Sequence, residues 1–141
     1  MKLYLIISRK NLGIILCLLT ALVVTVGTVS SQRLKRIDGS TNALRTEYLQ
    51  RLNIQVDDSR VTSKSIVIPG HFNGIYREYN RLQKESGFDL SKYKGKRATL
   101  YSYAIIGSEG SAELIVYKDS IIGGSVTPNR IGAAMKPLVI G

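Results

Sequence analysis

The chain has 141 residues, 44% of them hydrophobic, and 20 Lys and Arg stand against 10 Asp and Glu, a formal net charge of +10. That length holds one domain. The single cysteine excludes an intrachain disulfide, and with a single histidine beside it a transition-metal site would need oxygen ligands or ligands shared between chains.

Residues 1–10 form a short basic tail carrying Lys2, Arg9 and Lys10. An uncharged run, 11–32, follows, almost wholly apolar from Leu12 to Val29. Roughly 20 residues in a helix cross the ~30 Å hydrocarbon core of a bilayer, and backbone groups in lipid need partners within their own segment. The run is apolar on all sides, unlike an amphipathic core helix, so it predicts one transmembrane helix. Orientation is close to balanced, because Arg33, Lys35 and Arg36 follow the run as the tail cations precede it. The short tail favours an inside N-terminus and a domain on the outer face of the cell membrane. The rival is a cleaved signal, with small residues at Thr28-Val29-Ser30, which would make the protein secreted. Cys17 lies inside the run and reads as an inert apolar thiol.

Residues 33–40 read as a stem and 41–141 as a small domain. Ser40 or Thr41 can cap a helix from Asn42 to about Leu52, with Leu44, Tyr48, Leu49 and Leu52 on one stripe. Asn53 to Val56 alternates as a short strand, Asp57-Asp58-Ser59 breaks it, and Val61 to Ile68 is a second strand. After Pro69-Gly70, the spacing of Phe72, Ile75, Tyr79 and Leu82 predicts an amphipathic helix to Ser86 that buries Leu82 and leaves Asn80 off the buried stripe. Gly87 stops it as a left-handed cap, with Phe88 folding back. Asp89 to Arg97 is a basic loop. Strands are predicted near Ala98–Ile106, Ala112–Tyr117 and Ser120–Thr127, with turns at Gly107–Gly110 and Lys118-Asp119. Gly123-Gly124 inside the last strand implies a bulge or a close backbone approach. The fold class is α+β: two helices packed on one face of an antiparallel sheet of about four to five strands.

No catalytic constellation stands out. His71 reads as a surface histidine at a helix start. Asp57 and Asp58 are adjacent and point apart on extended chain, a poor carboxylate pair. Ser91-Lys92-Tyr93-Lys94 has the Ser-x-x-Lys spacing of a serine acylase but lies in a lysine-rich loop instead of at a helix start in a cleft. Tyr101 and Tyr103 share a strand face near Lys94, Lys96 and Arg97; that set can stack on a polymer, or the rings simply fill the sheet with wet hydroxyls. The candidate contact residues for an anionic surface or partner are Arg77, Arg81, Lys84, Lys92, Lys94, Lys96 and Arg97. Against them within that stretch stand Glu78, Glu85 and Asp89, a local surplus of about +4 by simple count. The bland reading is a solvated face.

The order Ile68-Pro69, Tyr76-Arg77-Glu78-Tyr79-Asn80-Arg81-Leu82-Gln83-Lys84, Gly87-Phe88-Asp89-Leu90-Ser91-Lys92-Tyr93-Lys94-Gly95-Lys96 and Ile121-Ile122-Gly123-Gly124 resembles the bacterial domain-of-unknown-function family numbered 4830. Thr41-Asn42, Arg45 and Tyr48-Leu49 resemble its opening helix. The resemblance implies a cell-envelope protein of Gram-positive-type bacteria, with a basic tail and one hydrophobic helix before the domain. It implies no assigned activity, ligand or catalytic residue. Members tend to carry Asp after the Gly-Gly pair, where this chain has Ser125.

Taken together, these features predict a membrane-anchored envelope protein that is not an enzyme and takes no cofactor, its domain binding an envelope protein, an anionic polymer or lipid head groups. Nucleic acid is not expected as a partner outside the membrane. The alternatives are a small regulatory or inhibitory domain acting on an envelope protein and, weakest, a hydrolase.

Overall fold

The computed structural model describes residues 36–138. The basic tail, the hydrophobic run and the start of the stem lie outside the described residues. Among the described residues no helix is long and apolar enough to cross a membrane. The elements are β1 (Ile37–Asp38), α1 (Asn42–Arg51), β2 (Val56–Val67), α2 (Gly74–Glu85), a 3-10 turn (Leu90–Tyr93), β3 (Arg97–Ile105), β4 (Gly110–Tyr117), β5 (Ser120–Pro128) and β6 (Lys136–Pro137). The strands form one antiparallel sheet in the order β1-β5-β4-β3-β2. The two-residue strands β1 and β6 share the outer edge of β5, at Ile121 and Ser120 for β1 and at Ser125 and Val126 for β6.

Local chemistry sets the boundaries. Thr41 caps α1 by accepting from the Leu44 N–H at 3.2 Å, and Asn73 caps α2 by accepting from the Tyr76 N–H at 2.9 Å. Gly87, at φ 81, ends α2: its N–H donates to the Lys84 carbonyl, and the Phe88 N–H donates to the Gln83 carbonyl, both at 3.0 Å. Lys118 and Asp119, at φ 46 and 63, turn β4 tightly into β5.

Of the two strands expected before α2, the first, Asn53–Val56, is strand only at Val56, and the second extends back to meet it. β2 runs from Val56 through Val67, with a register shift between Val56 and Val61. Asp57 and Ser59 keep their turn chemistry inside the strand, where the Asp57 carboxylate accepts from the Ser59 N–H at 3.1 Å and its hydroxyl at 2.6 Å. The residues expected to break the strand therefore make a bulge in it.

The helices do not share a face. On β3, Tyr101 and Tyr103 point one way and Ala98 and Leu100 the other, and both sets are apolar enough to bury. Leu49 of α1 packs with Tyr103, Ala112, Leu114, Val116 and Ile121 on the first face. Tyr76 and Tyr79 of α2 pack on the second with Ile68, Phe72, Leu90, Ala98, Ile115 and Ile122. Two cores result, one on each side of the sheet.

The buried face of α2 is also one residue away from the expected stripe. Ile75 is 83% exposed and Leu82 is half-buried, whereas Asn80 and Gln83 are buried. The inward stripe is Tyr76, Tyr79, Asn80 and Gln83, again at helical spacing. The reason lies in what the helix meets: the backbone of β5 at Gly123-Gly124. Gln83 Oε1 accepts from the Gly124 N–H at 2.7 Å. A Cβ on Gly123 would lie 2.9 Å from Gln83 Oε1, and one on Gly124 would lie 2.6 Å from the Glu113 carbonyl and would collide with Leu138 Cδ1. The glycine pair thus serves both a close approach and, beside it, the register shift between Ile115 and Val116.

Candidate functional site

The basic loop is held from within the second core. Leu90 is fully buried, and its N–H donates to Asn80 Oδ1 at 2.7 Å while Asn80 Nδ2 donates to Asp89 Oδ1 at 3.0 Å. The same Asp89 oxygen accepts from the Ser91 N–H at 3.0 Å and the Ser91 hydroxyl at 2.7 Å. Ser91, Asn80 and the nearby Lys84 hold the Asp89 carboxyl well below the usual carboxylate range, at about 2. Beyond the 3-10 turn, Gly95 at φ 72 turns the chain, its N–H donates to the Ile68 carbonyl at 2.8 Å, and the Ile68 N–H donates to the Lys96 carbonyl at 2.9 Å. Tyr93 packs edge-on against Tyr117, with ring centroids 5.7 Å apart.

This scaffold sorts the predicted cations. Lys92, Lys94, Lys96 and Arg97 all emerge, exposed, at the end of the sheet where β2 and β4 finish and β3 and β5 begin. Lys94 also lies over the Phe72 ring at 4.9 Å. Arg81 and Lys84 do not join them as free charge. Arg81 lies between Glu78 and Glu85, 2.6 Å from each, and Lys84 is 3.9 Å from Asp89. Arg77 turns back to donate to the Phe72 carbonyl at 3.2 Å.

Two cations invisible to the local sequence pattern join the loop. Lys118 sits in the β4–β5 turn, 5.5 Å over Tyr117, the ring that Tyr93 touches. Arg36 reaches the Ser120 hydroxyl and the Lys118 carbonyl. Asp38 and Asp119 are the exposed carboxylates at this end among the described residues, and Asp38 is occupied by accepting from the Ser40 N–H at 2.9 Å. Sequence patterns gave no sign of this grouping, because the pairing of β3 with β4 and of β1 with β5 creates it.

The expected hydrolytic and metal candidates are dispersed. Ser91 is engaged by Asp89 while Lys94 lies over Phe72, so the Ser-x-x-Lys spacing does not bring the two side chains into one site. Asp57 is tied to Ser59 and to Arg60, and His71 is exposed. Among the described residues no three of His, Cys, Asp and Glu gather in a way that would hold a metal ion.

A shallow shelf of about 360 Å³ opens on the second face beyond α2, lined by Arg60, Thr62, Ser102, Ser111, Thr127 and Asn129 among others. Glu113 stands at its border, 3.5 Å from the Ser125 hydroxyl and 3.4 Å from that of Thr127. Burial pushes the Tyr79 hydroxyl up to about 12, while a hydrogen bond with Ser125 opposes the shift. Both contacts of Glu113 are long, and Ser125 is buried beneath the shelf.

Tyr101 and Tyr103 are structural. Arg45, buried in α1, donates from Nε to the Tyr103 hydroxyl at 2.8 Å and from Nη1 to the Gly39 carbonyl at 2.7 Å. Its guanidinium lies 3.7 Å from the centre of the Tyr101 ring. The pair that looked available for stacking on a polymer is stacked under the protein's own arginine.

Geometry and sequence pattern together define a small α+β domain with a structural polar interior and one cationic end. The family model described as "Domain of unknown function (DUF4830)" matches residues 47–126, and the chain belongs to that family. No curated protein and no solved structure matches the chain.

Proposed function

We propose that this is a non-catalytic binding domain of the bacterial cell envelope, held on the outer face of the cell membrane by residues 11–32, with its cationic end resting on an anionic surface. The observation that carries this reading is the coincidence of two features at one end of the sheet. Lys92, Lys94, Lys96, Arg97 and Lys118 emerge there, and the chain enters the fold there at Arg36. An anchor that precedes Arg36 would bring this end close to the head groups. A Lys or Arg near an anionic leaflet is worth about 1 kcal/mol and loses effect beyond a Debye length of about 8 Å at physiological salt. A few such charges orient a tethered domain without anchoring it alone.

The test is co-sedimentation of the domain beginning at Arg36 with anionic and neutral vesicles across a salt series. Binding to the anionic vesicles should fall steeply with salt. Replacing Lys92, Lys94 and Lys96 with Gln should weaken it by about 1 kcal/mol per charge, and replacing Arg81 and Lys84 should weaken it far less. Equal, negligible binding to both vesicle types at low salt, unchanged by the Lys→Gln set, would remove the proposal.

A further inference from the structure

The strand β2 ends the sheet, with no neighbour on its outer side among the described residues. Its first part is closed off. The bulge at Asp57–Ser59 distorts the ladder, and α1 reaches over it, with Asn42 Nδ2 donating to the Asp58 carbonyl at 3.2 Å. From Val61 to Val67 the strand is in regular register with β3. The Ile68 N–H points inward to Lys96, so alternation turns Ile66, Lys64 and Thr62 inward, opposite Ala98, Leu100 and Ser102. Val61, Ser63, Ser65 and Val67 then direct their N–H and C=O groups away from the sheet.

Exposed edges of this kind are normally guarded by proline, by a bulge or by charged side chains, lysine above all, because they template pairing with another chain; a lysine guard repels cationic and like strands but not an acidic one. This stretch has no proline, its bulge lies outside it, and Lys64 is its one charged residue. Within this stretch and the strand that faces it the charge has a single sign. Lys64 projects on one face of the sheet, and on the other Arg97 donates to the Ser65 hydroxyl at 3.3 Å. Neither 61–67 nor the facing stretch of β3, 97–103, contains an acidic residue. Val67, 54% exposed, adds an apolar contact at the end of the ladder.

We propose that the Val61–Val67 edge is a docking site for an extended acidic segment of a partner protein, which adds to the sheet as a further strand. Main-chain hydrogen bonds to Val61, Ser63, Ser65 and Val67 supply the binding, and carboxylates opposite Lys64 supply the selectivity. A second copy of this chain is disfavoured as the occupant. Its fully paired antiparallel register places Lys64 directly opposite its own symmetry mate, and like charges so placed oppose pairing.

The test uses the full-length chain in detergent micelles and a short synthetic peptide of alternating Glu and Val, with a Lys-and-Val peptide as control. Amide hydrogen exchange is followed residue by residue. The acidic peptide should slow exchange at Val61, Ser63, Ser65 and Val67 by about tenfold or more, and the basic control should not. Ser65→Pro should abolish the effect while leaving the fold intact, since it removes an outward donor that makes no ladder bond. Lys64→Glu, which leaves the backbone unchanged, should transfer the preference to the basic peptide. Equal protection by both peptides, no protection by either, protection confined to 92–97, or protection of 61–67 that rises with protein concentration in the absence of peptide would each overturn the proposal.

Discussion

The two faces of the sheet are closed by helices of opposite character. On the first, α1 presses Leu49, with Tyr48 and Leu52 beside it, onto Tyr103, Ala112, Leu114 and Val116. Its one buried charge, Arg45, is dressed by a hydroxyl, a carbonyl and an aromatic ring. On the second, α2 brings Asn80 and Gln83 inward beside its tyrosines and binds main-chain N–H groups of the loop and of β5. The difference follows from the surface each helix meets. A helix above the middle of a sheet sees side chains and needs apolar area. A helix that meets a strand at Gly-Gly sees backbone, and buried backbone donors need acceptors. The fit at β5 is incomplete, since Gln83 Nε2 is buried without a partner.

The sharpest way to break this contrast is Leu49→Ala. Leu49 is fully buried in the first core, so truncation should cost about 2–5 kcal/mol. Chemical denaturation of the domain checks it. A loss below about 1 kcal/mol would mean that α1 contributes little to the first core.

A smaller effect distinguishes the two readings of α2. Asn80→Ala leaves the buried Leu90 N–H without its acceptor and should cost about 1–3 kcal/mol. Leu82→Ala removes a half-buried side chain outside both core clusters and should cost less. The simple apolar spacing of the sequence predicts the reverse order, so thermal unfolding of the two variants side by side decides which stripe α2 buries.

The smallest expected effect is a pH dependence from the loop beneath α2. Asp89 is held at about 2 in the fold, below its unfolded value. A lowered folded value contributes stability that is fully present above about pH 4 and is lost as pH falls from there toward 2. Asp89 is 26% exposed, so after solvent screening the contribution is about 1 kcal/mol. Asp89→Asn should flatten the stability profile across that window. An unchanged slope would place the acid sensitivity elsewhere.

Much of this molecule is written in its local sequence. Capping residues, turn residues and period-two alternation placed both helices and the strands β3, β4 and β5 near their observed bounds, because those signals act over a few neighbouring residues. Gly87 stopped α2, and Gly123-Gly124 announced a close approach, because no other residue serves as well there. The loop cations at 92–97 were legible as a charge run.

Tertiary structure alone decided the rest. Whether α1 and α2 share a face depends on how the strands between them pair, and both faces of β3 were apolar enough to accept a helix. Asn80 fell outside the expected buried stripe because polarity alone does not show that a backbone donor waits opposite. Tyr101 and Tyr103 could be read as a stacking pair or as filling for the sheet, and the residue that decides between them, Arg45, lies more than fifty residues earlier in the chain. Arg36 and Lys118 meet because β1 and β5 are neighbours, although 82 positions separate them. Sequence fixes what each residue can satisfy within its own turn or strand, and long-range pairing determines which partner is there to satisfy it.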